Sequence, residues 1–252
     1  MSVRKVQNKR GWAVSFAVAT IKPTMRAAMS RTWIDGEKIP PTGGCLVVAN
    51  HISHVDPLLT AYFVYDHGRI PRYLAKAALF HTKFVGTVLK SADQIPVERM
   101  SRDAVGAYDA AVKAVEAGEC VVVYPEATLT RDPNLWPMTG KSGAARIALA
   151  TGVPVIPVAH WGAQDFLYPY ASKPDIFPRK HVTMKAGDPV RLDDLRTVPL
   201  TPQVVAETTE RIMSALTDLV AELRGEEPPA ERFDPRKAGV RQIGNPKRKD
   251  RP

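Results

Sequence analysis

The stretch CLVVANHISHVDP, residues 45–57, decides the fold class. Its first five residues are apolar on both faces, as a central strand of a sheet must be, and the polar turn after them opens into a helical pattern. A strand that leads through a polar turn into a helix is the unit of an α/β sheet. Such sheets bind ligands at the carboxyl ends of their strands, so the stretch also predicts a ligand site near His51 and Asp56.

The same alternation of short apolar runs and longer helical stretches continues along the chain. It predicts a mixed, largely parallel sheet flanked by helices, with strands several of which are apolar on both faces. Three of the predicted helices have a glycine just past the last turn. The predicted strands are residues 45–49, 72–75, 120–124, 155–159 and 181–186, and the predicted helices are residues 56–65, 83–90, 102–117, 141–150 and 202–224.

The composition divides the 252 residues into a domain and a tail. With 44% apolar and 24% charged residues the chain is of ordinary globular type, which excludes extensive disorder and a polytopic membrane protein. No repeat or interior linker divides residues 35–224, so they are predicted to form one domain. Residues 225–252 are rich in proline and charge and are predicted to be a disordered tail.

The net charge of +9 is concentrated at the N-terminus. Residues 1–34 contain seven lysines and arginines and no acidic residue, which leaves only +2 for residues 35–252. A nearly neutral body does not predict a nucleic-acid partner. The two cysteines, Cys45 and Cys120, lie within apolar runs and are expected to be free thiols in a reducing cytoplasm.

Three interpretations of the basic segment at residues 1–34 compete. The apolar run GWAVSFAVATI, residues 11–21, would cover about half of a ~30 Å hydrocarbon core and cannot span it alone. A signal peptide fits the basic start, but residues 22–31 are basic again and offer no clean cleavage site. A core helix with solvated ends remains open. An interfacial helix with Trp12 and Phe16 among lipid headgroups explains the whole pattern, so a membrane anchor on anionic phospholipid is expected.

The first cluster that can carry chemistry is His51 with Asp56. A histidine that takes a proton from an alcohol needs a carboxylate to hold its tautomer and to stabilise the imidazolium. The pattern Ser53-x-x-Asp56 also matches a helix capping box, which is a purely structural alternative. Metal binding by His51, His54 and Asp56 is disfavoured, because no H-E-x-x-H and no second ligand set is present.

The second cluster follows the strand VVVY in VVVYPEATLTRDP, residues 121–133. Hydroxyls, turn N–H groups and an arginine fork are suited to holding a phosphate monoester. A surface turn stabilised by local side-chain bonds is the alternative. The polar residues of this cluster are Glu126, Thr128, Thr130 and Arg131.

The order of the motifs resembles that of the glycerolipid acyltransferases, most closely the bacterial 1-acyl-sn-glycerol-3-phosphate acyltransferases. The resemblance covers residues 45–160, and the conjunction of blocks is far more specific than any one of them. The blocks are N-H-x-S-x-x-D-P at residues 50–57, K-x-x-L-F at 76–80 followed by I-P-V-x-R at 95–99, P-E-x-T at 125–128, and V-P-V-I-P-V at 153–158.

This resemblance implies acyl transfer from acyl-CoA or acyl carrier protein, as co-substrate, to the free hydroxyl of lysophosphatidic acid, which forms phosphatidic acid. It implies His51 as general base, Asp56 as its orienting partner, and no metal or cofactor. Another acceptor, such as glycerol-3-phosphate, a 2-acyl lysophospholipid or a glycolipid, and a non-catalytic lipid-binding protein remain alternatives. The implied substrate-binding residues are Lys76, Arg99, Glu126, Thr128, Arg131 and Lys141.

Two further features bear on this resemblance. The family commonly has P-E-G-T-R, whereas this chain has Ala127 and Leu129 at the glycine and arginine positions, so the arginine is displaced to Arg131. The enzyme is expected on the cytoplasmic face of the membrane as a peripheral or monotopic protein. The aromatic segment at residues 165–178 could extend the apolar contact or line an acyl slot, or could be a packed loop.

Overall fold

The computed structural model describes residues 4–6, 11–97 and 104–241. In these ranges the chain forms one sheet in the order β1-β7-β6-β2-β5-β3-β4. Every neighbouring pair is parallel except β6 and β7, so the predicted mixed, largely parallel sheet is confirmed. The strands are β1 Met29–Ile34, β2 Cys45–Ala49, β3 Pro71–Lys76, β4 Ile95–Val97, β5 Cys120–Val123, β6 Val155–Trp161 and β7 Lys180–Ala186.

Helices cover both faces of the sheet because its central strands are apolar on both sides. In β2, Val47 packs in the cluster that includes α1 and α2, whereas Leu46 and Val48 pack with α4, α5 and α8. The helices are α1 Trp12–Ala28, α2 Asp56–Asp66, α3 Lys83–Ser91, α4 Ala104–Glu116, α5 Gly143–Thr151, α6 Ala163–Phe166, α7 Asp193–Arg196 and α8 Pro202–Arg224, with 3₁₀ turns at Gly36–Lys38 and Ala77–His81.

The N-terminal segment is part helix and part sheet. Helix α1 is longer than the apolar run and continues through Pro23 to Ala28. Residues 29–34, which the charge pattern assigned to the anchor segment, instead form edge strand β1, which pairs in parallel with β7. No helix in the described part of the chain is long and apolar enough to cross a membrane.

The C-terminal segment also differs from the expectation. Helix α8 ends at Gly225, whose left-handed φ of 63° terminates the helix. The following residues fold back onto the domain: the Thr139 N–H donates to the Phe233 carbonyl at 3.1 Å, and Arg232 pairs with Glu210. The expected disorder therefore does not extend over residues 225–241, while the rest of the expected tail, residues 242–252, lies outside the described residues.

Candidate active site

A histidine and a buried carboxylate meet where β2 ends and α2 begins. His51 Nδ1 lies 3.0 Å from Asp56 Oδ2, which also accepts the backbone N–H groups of Ile52 and Ser53 at 2.7 Å each. An ionised carboxylate only accepts hydrogen bonds, so the proton of the neutral imidazole resides on Nδ1. Nε2 of His51 is then the ring nitrogen that can take a proton from a bound hydroxyl.

The environment of Asp56 keeps this carboxylate ionised. Burial raises the pKa of Asp56, but the charges and hydrogen bonds of His160 and His51 outweigh it and lower the pKa from 3.8 to about 2. The capping box is only half formed. The Ser53 N–H donates to Asp56, but the Ser53 hydroxyl donates to the Leu167 carbonyl at 2.6 Å, and no side chain caps α2.

His160 is a second imidazole at Asp56 that the sequence analysis missed. Its Nε2 lies 3.0 Å from the Asn50 carbonyl and 3.5 Å from Asp56 Oδ2. A carbonyl only accepts, so this nitrogen carries the proton and points it toward both oxygens. The Asn50 side chain holds the His160 backbone at both its N–H and its carbonyl. A lone histidine in the apolar strand β6 gives no sequence signal of this contact.

Glu126 joins the second motif to the first. One of its carboxylate oxygens accepts the His51 N–H and the other accepts the Met138 N–H, each at 3.0 Å. The Thr130 N–H donates to the His51 carbonyl at 2.7 Å, so residues 126–130 hold both sides of the His51 backbone. Burial raises the pKa of Glu126 to about 8, although the two N–H groups lower it. Glu126 therefore positions the His51 backbone.

Aromatic side chains fix the plane of the His51 ring. The ring stacks on Tyr124, with centroids 4.4 Å apart and an interplanar angle of 28°. The hydroxyl of Tyr124 donates to Thr60 in α2, and the hydroxyl of Tyr73 donates to the Pro57 carbonyl. The imidazole is therefore held by its carboxylate at the edge and by tyrosine at the face.

His51 lines a cavity of about 870 Å³ that runs past the carboxyl ends of β2, β3 and β5, while Asp56 is buried behind it. Large apolar side chains from α1, α2 and α3 make much of its wall, among them Val14, Val18, Ile21, Leu58, Val88 and Leu89. Its charged lining residues, besides His51 and Glu126, are Lys22, Lys76, Lys141 and Arg236 in the described part of the chain. Lys22 is already paired with Asp66 at 2.6 Å.

Only some of the side chains expected to bind the phosphate lie on the cavity wall. Lys76 at the end of β3 and Lys141 before α5 both line the cavity. Arg131 does not line it: its guanidinium lies over the Tyr170 ring, 4.8 Å from the centroid, and Thr128 lies 3.4 Å from the Tyr170 hydroxyl. Arg99 lies outside the described residues.

The alternative metal ligands do not converge. His54 packs edge-on against Tyr170, with ring centroids 6.0 Å apart. Across residues 4–6, 11–97 and 104–241, no group of three His, Cys, Asp or Glu side chains is arranged to hold a metal ion.

Residues 31–161, just over half of the chain, match the sequence model of the acyltransferase family. The chain belongs to the acyltransferase family. The match contains His51, Asp56 and Glu126 and ends at the last residue of β6. It confirms the resemblance drawn from the motif blocks.

Relatives of this acyltransferase-family chain carry more specific names. It is 31% identical over 150 residues to a 1-acyl-sn-glycerol-3-phosphate acyltransferase of Borreliella burgdorferi, covering 59% of this chain and 58% of that protein. It is 31% identical over 119 residues to a chloroplastic 1-acyl-sn-glycerol-3-phosphate acyltransferase of Brassica napus, covering 47% and 33%. The chain thus spans less than two thirds of the length of either relative.

A solved structure shares the fold. The 1-acyl-sn-glycerophosphate (LPA) acyltransferase of Thermotoga maritima matches with a TM-score of 0.64 at 22% sequence identity, over 85% of this chain and 81% of that chain. At this identity the likeness establishes the architecture of sheet and helices.

The buried dyad predicts a specific pH dependence of stability. The folded pKa of Asp56 is depressed to about 2, so its contribution is present above its unfolded pKa and is lost as the pH falls through the folded pKa. Between pH 5 and pH 2 this carboxylate should account for about 2 kcal/mol of lost free energy of unfolding. Urea denaturation of wild type and Asp56→Asn checks this. Identical losses in both proteins over that range would contradict it.

The turn P-E-A-T at residues 125–128 predicts a stabilising substitution. Ala127 has a φ of 61°, in the left-handed region that favours glycine, the residue common in the family at this position. Ala127→Gly should raise the free energy of unfolding by about 0.5–1 kcal/mol, because relief of the strained backbone exceeds the added flexibility of the unfolded chain. Chemical denaturation measures the change. A loss of stability would show that the turn is unstrained.

Proposed function

We propose that this protein transfers an acyl group from an acyl thioester to the free hydroxyl of lysophosphatidic acid and so forms phosphatidic acid. The observation that carries the proposal is His51, paired with the buried Asp56, on the wall of a large, mostly apolar cavity that is also lined by lysine and arginine side chains. Pockets for small molecules commonly measure about 300–1,000 Å³, so this cavity is at the large end. The names of the Borreliella and Brassica relatives support the same acceptor.

The chemistry needs one base and correct positioning. Nε2 of His51 accepts the hydroxyl proton while the oxygen attacks the thioester carbonyl, and Asp56 stabilises the imidazolium that forms. The tetrahedral intermediate then breaks its carbon–sulfur bond, and the imidazolium returns the proton to the departing thiolate. Because the thioester is already activated, general-base catalysis of about 10²–10⁴-fold, together with positioning, supports direct transfer without an acyl-enzyme.

The donor is an acyl thioester of coenzyme A or of acyl carrier protein, which present the same phosphopantetheine arm. The apolar side chains from α1, α2 and α3 suit the acyl chains of donor and acceptor. Lys76 and Lys141 on the same cavity wall suit the acceptor's phosphate.

This function predicts the outcome of a simple assay. With an acyl-CoA, lysophosphatidate and a thiol reagent, wild type should release free thiol in an acceptor-dependent way, and His51→Ala should lower kcat by about 10²–10⁴-fold. His54→Ala is the matched control, because His54 is the neighbouring histidine and packs against Tyr170, and it should retain activity.

Either of two results would refute the assignment of His51 as the general base of acyl transfer. One is a His51→Ala variant with near wild-type turnover, and the other is thiol release at the same rate without acceptor. Parallel reactions with glycerol-3-phosphate, a 2-acyl lysophospholipid and a glycolipid, followed by mass analysis of the product, identify the acceptor.

The enzyme works at the cytoplasmic surface of a membrane as a peripheral protein. Trp12 and Phe16 are 58% and 42% exposed on α1, the helix whose Val14 and Val18 line the cavity. Phe84 of α3 is 65% exposed and packs edge-on against Phe16, with ring centroids 5.8 Å apart. Exposed aromatic side chains on the helices that wall an apolar cavity suit the headgroup layer, from which acylated substrates enter.

Carboxylates introduced at Phe16 and Phe84, the aromatic patch on α1 and α3, should release the protein from membranes. Burial of a large apolar side chain contributes about 1.5–3 kcal/mol, so Phe16→Asp with Phe84→Asp should weaken binding to anionic phosphatidylglycerol vesicles by at least about 100-fold. Leu200→Asp is the matched control, because Leu200 is 63% exposed in the segment before α8. Sedimentation with vesicles measures both. An equal loss of vesicle binding in both variants would show that the aromatic patch does not make the membrane contact.

A further inference from the structure

The cavity lacks the arginine that the family commonly carries just after the P-E-x-T motif. The displaced Arg131 lies over Tyr170 and is absent from the cavity wall, and Leu129, which stands in the arginine position, is buried. Lys22 lines the wall as well, but its ammonium forms an ion pair with Asp66. Within the described ranges, the other cationic side chains on the wall are those of Lys76, Lys141 and Arg236.

Arg236 reaches the cavity from a segment that follows α8, far in sequence from the family motifs. Backbone hydrogen bonds fix the segment on both sides of this residue. The Thr139 N–H donates to the Phe233 carbonyl at 3.1 Å, and the Val240 N–H donates to the Pro235 carbonyl at 2.9 Å. Asp234 Oδ1 accepts the backbone N–H of Arg236 at 2.8 Å. A turn held in this way presents the Arg236 side chain at the cavity wall.

Lys141 lies close to the catalytic dyad and within electrostatic range of Arg236. Its backbone N–H donates to the Pro125 carbonyl at 2.8 Å, and the next residue, Glu126, holds the His51 N–H. Burial and then the charge of Arg236 lower the pKa of Lys141, while Asp234 raises it. Two cations that repel each other on one wall are stabilised by an anion between them.

The acceptor supplies such an anion in the right place. In 1-acyl-sn-glycerol-3-phosphate, the phosphate is on the carbon next to the one that carries the reacting hydroxyl. A hydroxyl bound at His51 therefore keeps its phosphate within a few bonds of the dyad, and Lys141 is hydrogen bonded to Pro125, the residue before the Glu126 that holds the His51 backbone. The phosphates of coenzyme A are separated from the thioester by the whole pantetheine arm.

We propose that Arg236, together with Lys141, binds the phosphate of the acceptor and substitutes for the arginine missing after the P-E-x-T motif. This inference rests on the proposed function, because it takes a phosphate-bearing acceptor as given. It makes the segment after α8, which lies outside the family match at residues 31–161, a determinant of acceptor specificity.

The first test measures binding without donor. Calorimetry with octanoyl-lysophosphatidate should show that Arg236→Gln weakens binding by about 10- to 100-fold, the loss typical of a charged hydrogen bond, and that Arg236→Lys recovers part of it. Monooctanoylglycerol, which lacks the phosphate, should bind wild type and Arg236→Gln equally. Lys237→Gln is the matched control, because Lys237 is adjacent and exposed but does not line the cavity, and it should bind like wild type.

The second test separates the two sources of phosphate by kinetics. Arg236→Gln should raise KM for lysophosphatidate by a similar factor and leave kcat and KM for acyl-CoA unchanged. A rise in KM for acyl-CoA alone would overturn the proposal and assign Arg236 to the donor. An equal effect of Lys237→Gln would also overturn it, because the effect would then be one of general charge.

Failure of the proposed function can be told apart from failure of this inference. A wild-type protein that transfers nothing to lysophosphatidate would refute the proposed function, while a binding loss confined to Arg236→Gln and to the phosphate-bearing ligand would still support the phosphate contact. Binding of octanoyl-lysophosphatidate that is insensitive to Arg236→Gln would refute the inference even in an active enzyme. Thermal unfolding of Arg236→Gln, expected to match wild type, confirms an intact fold.

Discussion

The buried carboxylate of Asp56 is the point on which the site depends. A single oxygen of this group lies within hydrogen-bonding distance of His51 and of the N–H groups of Ile52 and Ser53, and 3.5 Å from His160. An ion without exposed surface would be costly without such donors, and with them it draws the end of β2, the start of α2 and strand β6 to one place. The turn geometry and the tautomer of His51 follow from the same contacts.

Glu126 is a second buried carboxyl group at the site, and its surroundings shift its pKa in the opposite direction from that of Asp56. Glu126 receives only backbone N–H groups, from His51 and Met138, and burial raises its pKa to about 8. Asp56 faces two imidazoles, which overcome burial and lower its pKa to about 2. Asp56 is thus the anion that can stabilise an imidazolium, whereas Glu126 fixes the position of the His51 backbone.

Long-range pairing accounts for the parts of the fold that sequence reasoning missed. The strands at Cys45–Ala49, Cys120–Val123 and Val155–Trp161 were predictable because a strand buried on both faces reads as an unbroken apolar run. Strand β1, Met29–Ile34, is a partly exposed edge strand of mixed composition, and β4 has only three residues, so neither carries such a run. Their pairing with β7 and β3 is decided by contacts distant in sequence.

The candidate site likewise has a part that local sequence predicts and a part that long-range contacts decide. By itself the sequence determined the α/β class and the pairing of His51 with Asp56, because only four residues of a strand-to-helix turn separate the two groups. The tertiary structure alone decided that His160 shares Asp56, that Arg131 packs on Tyr170, and that Arg236 lies on the cavity wall. These side chains are brought together by sheet order and by a segment folded back after α8, and no local pattern of residue types encodes where a distant backbone will bring them.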